Sequence, residues 1–195
     1  MKKNFLSIAL AGGLLVLSLN ASAQKDSSGI YKTVADFQQR KLSYAINYKT
    51  EKHTINDNLL FNDADIRVKH HGETFTLLKS ETYGFRNMEG EEFRFADNKQ
   101  YKIFNPGEPL LIYVYQHQTH SPKEAEKYSP TYFFSMDASS ALQSLTKTNL
   151  KAAFPNNNKF HNALDEQFKK DDELTAYDSF HKMYKLCRIY ETSIK

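Results

Sequence analysis

Between Asp65 and Ile103 the chain alternates apolar and polar side chains with a period of two. Beyond Thr146 that period gives way to the spacing of amphipathic helices. Few folds accommodate such a switch, because strands bury one face at every second residue and helices bury a stripe at every third or fourth. Ile66 and Val68 alternate with Arg67 and Lys69, Gly72 turns the chain, and Phe75 and Leu77 alternate with Thr74 and Thr76, which reads as a hairpin. Tyr83 and Phe85 answer Phe93 and Phe95 across the turn Glu89-Gly90. Asp97-Asn98 is the next turn, and Tyr101 and Ile103 continue the inward pattern against Lys102. Asn105 to Pro109 is a strong break. Leu110 to Tyr115 is apolar throughout and suits a central strand covered on both faces, and Thr131 to Met136 reads as one more strand. Strands at this spacing predict an antiparallel β-meander, either a small barrel or a strongly bent sheet.

The flanks complete an α+β fold. Gln24 to Gly29 reads as a polar leader, Thr33 caps a short helix through Lys41, and Leu42 to Tyr48 is a strand or an extended arm. In the tail, Thr146 caps a helix carrying Leu150 and Ala153 that stops at Phe154-Pro155. Phe160, Ala163, Leu164 and Phe168 form the stripe of a second helix. Ala176, Phe180, Met183, Tyr184 and Cys187 show similar spacing, with the acids of Asp171 to Glu173 opening that last helix. These C-terminal amphipathic helices are expected to dock on the open face of the sheet. The expected organisation is a single domain with a β-rich region 24–136 and a helical region 137–195.

Residues 1–23 are set apart. Met1-Lys2-Lys3-Asn4 is basic, Phe5 to Leu19 is largely apolar, and Ala21-Ser22-Ala23 offers small residues where a signal peptidase cuts. The expectation is a signal peptide cleaved near Ala23, a periplasmic or secreted product, and no transmembrane segment in the mature chain. Its removal takes Lys2 and Lys3 and no acid, leaving 172 of the 195 residues and +1 of the formal charge of +3. With no basic stripe, nucleic acid is not an expected partner. Twelve tyrosines and fourteen phenylalanines without tryptophan suit a half-buried pleated core. The one cysteine, Cys187, has no internal disulfide partner. Its default is a small buried hydrophobe on a helix, the alternative a reactive or intermolecular thiol.

No catalytic motif emerges, and no cofactor is implied. His117 and His120 make a His-x-x-His pair, but it follows a strand, where those positions point to opposite faces, and no glutamate stands between them. His70 and His71 are further weak metal candidates. By alternation His70 joins Ile66 and Val68 inward while His71 faces solvent. Asp57, Asp63 and Asp65 match no calcium loop. Glu89, Glu91 and Glu92 crowd one hairpin tip and read as a solvated turn. The long polar segment 116–130 interrupts two apolar strands, as functional loops do. Tyr113, Tyr115, Tyr128 and Tyr132 lie in or beside it and offer area and a hydroxyl together. With His117 and His120 they are the candidate contacts for a ligand or partner.

Three blocks carry a likeness: Ser28-Gly29-Ile30-Tyr31-Lys32-Thr33 leading to Asp36-Phe37; Tyr83-Gly84-Phe85-Arg86-Asn87 with Phe93-Arg94-Phe95; and Leu145-Thr146 to Phe154-Pro155 with Phe160-His161. Together they resemble small exported proteins of Bacteroidetes-type bacteria, a group to which no activity is assigned. The resemblance implies an envelope placement and no functional residues. The expected function is a non-enzymatic binding or interaction module whose partner is an envelope protein or a small ligand. The alternative is a metal-dependent enzyme using His117 and His120, with His70 or His71 as further ligands.

Overall fold

The computed structural model describes residues 27–47, 49–51, 54–56, 64–115 and 129–195. Segment 1–23 and its cleavage site lie outside them. The strands β1 (Ser27–Tyr31), β2 (Ser43–Asn47), β6 (Gly84–Arg86), β7 (Glu92–Ala96), β8 (Lys99–Ile103), β9 (Leu111–Tyr115), β10 (Thr131–Ser135) and β11 (Gln143–Ser144) form one antiparallel sheet. Its order is β11-β10-β9-β8-β7-β6-β1-β2. Strands β6 to β11 follow one another as a meander, and β1 inserts beside β6 with β2 outside it. The edges β2 and β11 do not pair with each other among the described residues, so the sheet is open and the expected closure into a small barrel is not seen.

A second sheet corrects the path of the meander. Strands β3 (Thr54–Asn56), β4 (Asp65–His70) and β5 (Glu73–Leu78) form a separate three-stranded unit. The hairpin of β4 and β5 turns through His71 and Gly72, both at positive φ, as a two-residue turn matched to strand twist requires. A 3-10 turn at Lys79–Glu81 then carries the chain away from β5, so β6 pairs with β1 instead. Alternation identified these strands but not their partners. The polar leader also proves partly structural: all of Ser27–Tyr31 is buried, because small Ser27, Ser28 and Gly29 fit between two neighbouring strands.

Cross-strand partners share a face, which sorts the core. Ile30, Phe85, Phe93, Lys102, Val114 and Tyr132 lie in register on one face, and Ile103 and Tyr113 with Glu92 and Phe133 on the other. The pattern therefore changes sides within the meander. Phe85, Phe93 and Phe95 point toward the small sheet, where Ile66 and Val68 meet Ile30. Tyr101 and Ile103 point the opposite way, beside Tyr31, Phe37 and Tyr113. Both sets are buried, Phe93 partly so, because both faces are covered.

The C-terminal elements complete the first face. Helices α2 (Lys147–Ala153) and α3 (Asn158–Gln167) are capped by Thr146, which accepts from the Asn149 amide, and Asn157, which accepts from the Phe160 amide. Leu150, Phe160 and Leu164 are fully buried against Leu110, Ile112 and Phe134 of the sheet region, each burial contributing roughly 1.5–3 kcal/mol. The expected helix over Ala176 to Cys187 is corrected. Asp171–Thr175 is a 3-10 turn, β12 (Tyr177–Asp178) and β13 (Met183–Tyr184) make a hairpin, and only then does α4 (Lys185–Ser193) begin. The Asp178 carboxylate takes the amides of Phe180 and His181, 3.1 Å each, competing with the bonds a helix would make. Phe180 is consequently 87% exposed at the hairpin tip rather than part of a buried stripe. No helix among the described residues is long and apolar enough to cross a membrane.

One close approach fixes the junction of β6 and β7. A Cβ added at Gly84 would stand 1.9 Å from the Phe93 carbonyl oxygen, and that backbone cannot yield without breaking the β6–β7 register. Gly84→Ala is expected to lower unfolding free energy by about 2–3 kcal/mol. Urea denaturation measures this, and an unchanged midpoint would contradict the packing described.

Candidate functional site

The face that looks away from the C-terminal helices carries a short cover. Helix α1 (Val34–Gln38) is started by Thr33, whose hydroxyl accepts from the Asp36 amide while the Asp36 carboxylate accepts from the Thr33 amide, a reciprocal capping box. Gln39 closes the helix, and Arg40 just beyond it turns to φ 57°. That left-handed conformation is uncommon outside glycine. It lets the side chain fold back over the Phe37 ring, 5.1 Å from its centroid, and reach down to the sheet.

There it meets Glu92. The carboxylate is 6% exposed and forms an ion pair with Arg40, whose Nη1 donates to Oε2. The Tyr31 hydroxyl donates to Oε1 at 3.2 Å. Two residues along the same strand and on the same face, Arg94 serves the opposite wall. Its Nη1 donates to the Tyr113 hydroxyl at 3.1 Å and its Nη2 to the Ser140 carbonyl at 2.9 Å. Ser135 Oγ donates to the Asp137 carbonyl at 2.6 Å, so the proton between Tyr113 and Ser135, 2.8 Å apart, belongs to Tyr113. The Arg94 guanidinium also lies 5.5 Å from the Tyr83 ring centroid and 5.8 Å from that of Tyr113, within cation–π range.

Between these two supports lies a cleft of about 320 Å³, at the lower end of the range for small-molecule sites. Phe37, Leu111 and Ala138 form its apolar floor, and Arg40, Glu108 and Asp137 supply its charges. Gly107, at φ +99°, lets the third wall pass close to Arg40: a Cβ there would lie 3.3 Å from Arg40 Nη2. That wall is pinned from beneath by Asn105. It donates to the Leu110 carbonyl at 2.7 Å and to Glu108 Oε2 at 3.0 Å, and it accepts from the Ile112 amide at 2.7 Å. Asn105 Nδ2 also lies 3.0 Å from Cys187 Sγ.

Burial and hydrogen bonding shift four titrating groups in and beneath the cleft. Hydrogen bonds from Ser139 and Ser140 draw the Asp137 carboxyl down to about 2. Burial, reinforced by the Glu92 charge, pushes Tyr31 up to about 12. Burial likewise raises the Tyr83 hydroxyl and the Cys187 thiol, the latter also facing Glu108. Asp137 therefore stays charged and Tyr31 neutral over the ordinary pH range. Cys187 is fully buried, so it takes its default role and offers no thiol to a second chain.

The residues singled out in the sequence are dispersed. Tyr113 is fully buried within the Arg94 network. Tyr115 shares its face and packs near Tyr101, 5.5 Å between ring centroids. Tyr132 stands on the other face, 6.0 Å from Phe104 beneath the helices. His117, His120 and Tyr128, with most of segment 116–130, lie outside the described residues, as do Asp57 and Asp63. His70 and His71 stack at 4.0 Å, His70 half-buried with its Nδ1 unpartnered and His71 exposed in its turn. Among the described residues no group of three or more His, Cys, Asp or Glu side chains is placed to hold a metal ion. Glu89 and Glu91 sit at the hairpin tip as expected, Glu91 paired with Lys102. Glu92 does not. Its neighbours Phe93 and Phe95 bury on the opposite face, so the alternation itself placed Glu92 and Arg94 on a second face, and only the cover over that face was illegible.

Removing Arg40 strands a carboxylate that is nearly without water. Arg40→Ala is expected to cost about 2–3 kcal/mol, less than a fully buried pair because a third of the arginine stays solvated. Adding Glu92→Gln should recover more than half of that loss in a double-mutant cycle, and additive losses would contradict direct coupling. No protein-family model, curated protein or solved structure matches this chain, so the cleft's own chemistry carries the functional reading.

Proposed function

We propose that this chain is an exported, non-enzymatic binding module of the bacterial envelope that holds a small ligand in the cleft beneath α1. The single observation behind the reading is a cleft of ligand size whose charged walls are fixed from below by two inward charges on one strand, Glu92 and Arg94. Sites built this way recognise without reorganising, which lowers the cost of binding. The envelope placement rests on the basic and apolar character of residues 1–23 and on the resemblance of the blocks at 28–37, 83–95 and 145–161 to small exported bacterial proteins. A strongly bent sheet belongs to the same reading. Tyr115, on the same face of β9 as Tyr113, and the polar segment 116–130 remain the contact region that the sequence suggests.

Native mass spectrometry of the protein recovered from its host's envelope tests this reading. The expected result is a mature mass lacking the first 23 residues, together with a bound small molecule. Ala138→Leu, which fills the cleft from its floor, should lose most of that adduct while melting within a few degrees of the parent. Recovery in the cytoplasm at full length, or an adduct indifferent to Ala138→Leu, would contradict it.

A further inference from the structure

We infer that the ligand of this cleft is a zwitterion: an amino acid or short peptide bearing a free ammonium and a free carboxylate. The inference rests on the binding reading above and names its ligand class. The charges that line the cleft are one guanidinium and two carboxylates, set on different segments. Arg40 projects from the end of α1, Glu108 from the turn at 105–110, and Asp137 from the segment after β10.

Each charge is anchored by neighbouring groups, and Asp137 keeps one carboxylate oxygen outside those bonds. Arg40 spends Nη1 on Glu92, while Nη2 runs along the wall at Gly107 and about a third of the side chain meets solvent. The Asp137 carboxylate accepts from the Ser139 amide, the Ser139 hydroxyl and the Ser140 amide, 2.7 Å each. All three bonds end on Oδ1, so Oδ2 remains as an acceptor. Glu108 is steadied by Asn105 through Oε2, and the Cys187 thiol also faces its carboxylate. Phe37, Leu111 and Ala138, 2–6% exposed, supply an apolar floor for a side chain between the poles.

Other ligand classes fit this set less well. A simple anion would meet two carboxylates with one guanidinium that already serves Glu92. A simple cation would pair with the carboxylates but bury the outer edge of Arg40 without a partner, and an unpaired buried donor is costly. An uncharged apolar molecule would desolvate all three charges. A molecule with one charge of each sign and a small apolar body satisfies every wall, and 320 Å³ limits it to an amino acid or a very short peptide.

The test uses the purified protein and three related probes: alanyl-leucine, its N-acetyl form, and its C-terminal amide. Titrations followed by the backbone amide signals of Gly107 and Ala138 report occupancy at the site itself. The free dipeptide is expected to shift both signals, and each capped form to bind roughly tenfold or more weakly. Asp137→Asn keeps an oxygen for the Ser139 and Ser140 donors, so the turn survives. It should weaken the free dipeptide by about tenfold and leave the N-acetyl form unchanged. Capped and free peptides of equal affinity, or an Asp137→Asn variant that weakens both alike, would overturn the inference. If no peptide shifts these signals while a different small molecule occupies the cleft in native mass spectrometry, the zwitterion falls and the binding module stands. If nothing occupies it, both fall.

Discussion

Two charges two residues apart on β7 organise the side of this protein that matters for recognition. Glu92 and Arg94 both point to the face away from the C-terminal helices, where a strand on a plain half-buried sheet would carry apolar groups. Neither is left to water. Glu92 draws Arg40 and with it the end of α1 onto the sheet, and Arg94 draws the backbone at Ser140. A buried carboxylate without its cation is expensive, so α1 must close in one place, and the backbone strain at Arg40 is what that closure costs.

The division of the fold follows. The large sheet is covered on both sides but by unlike materials. One face takes mainly apolar cover: the three-stranded sheet over Ile30, Phe85 and Phe95, the helices over Ile112 and Phe134. This face supplies most of the burial that stabilises the chain. The other face takes a five-residue helix and a turn, joined through aromatic rings and hydrogen-bonded charges. A thin polar cover over a rigid sheet leaves room between its pieces, and the cleft is that room.

Much of this was readable from residue order alone. The strands of the meander, their turns at Gly72, Gly90 and Asp97-Asn98, and the caps at Thr33 and Thr146 are set by side chains within a few residues of one another, so local pattern finds them. Pairing was harder. That β1 lies beside β6, and that β4 and β5 leave the meander, depends on contacts between segments some fifty residues apart. The last helix was misplaced because Phe180 and Met183 imitate a stripe, while Asp178 captures the amides a helix there would need. The cleft was the least legible part. Its key pair joins Arg40 to Glu92 across 52 residues. In sequence Glu92 is one acid among three at a hairpin tip, and Tyr113 reads as a strand tyrosine beside a candidate contact loop, with nothing local to join its hydroxyl to Arg94.

The most direct test of this account is hydrogen exchange at the amides of Phe37, Gln39 and Lys41, which bond to the carbonyls of Thr33, Ala35 and Asp36. A five-residue helix has no stability of its own. If Glu92 holds α1 closed, these amides exchange as slowly as those of the central strands, and Glu92→Gln releases them to fast local opening while the strands stay protected. Fast exchange at all three in the unaltered protein would mean that α1 is not fixed, and the walls of the cleft with it.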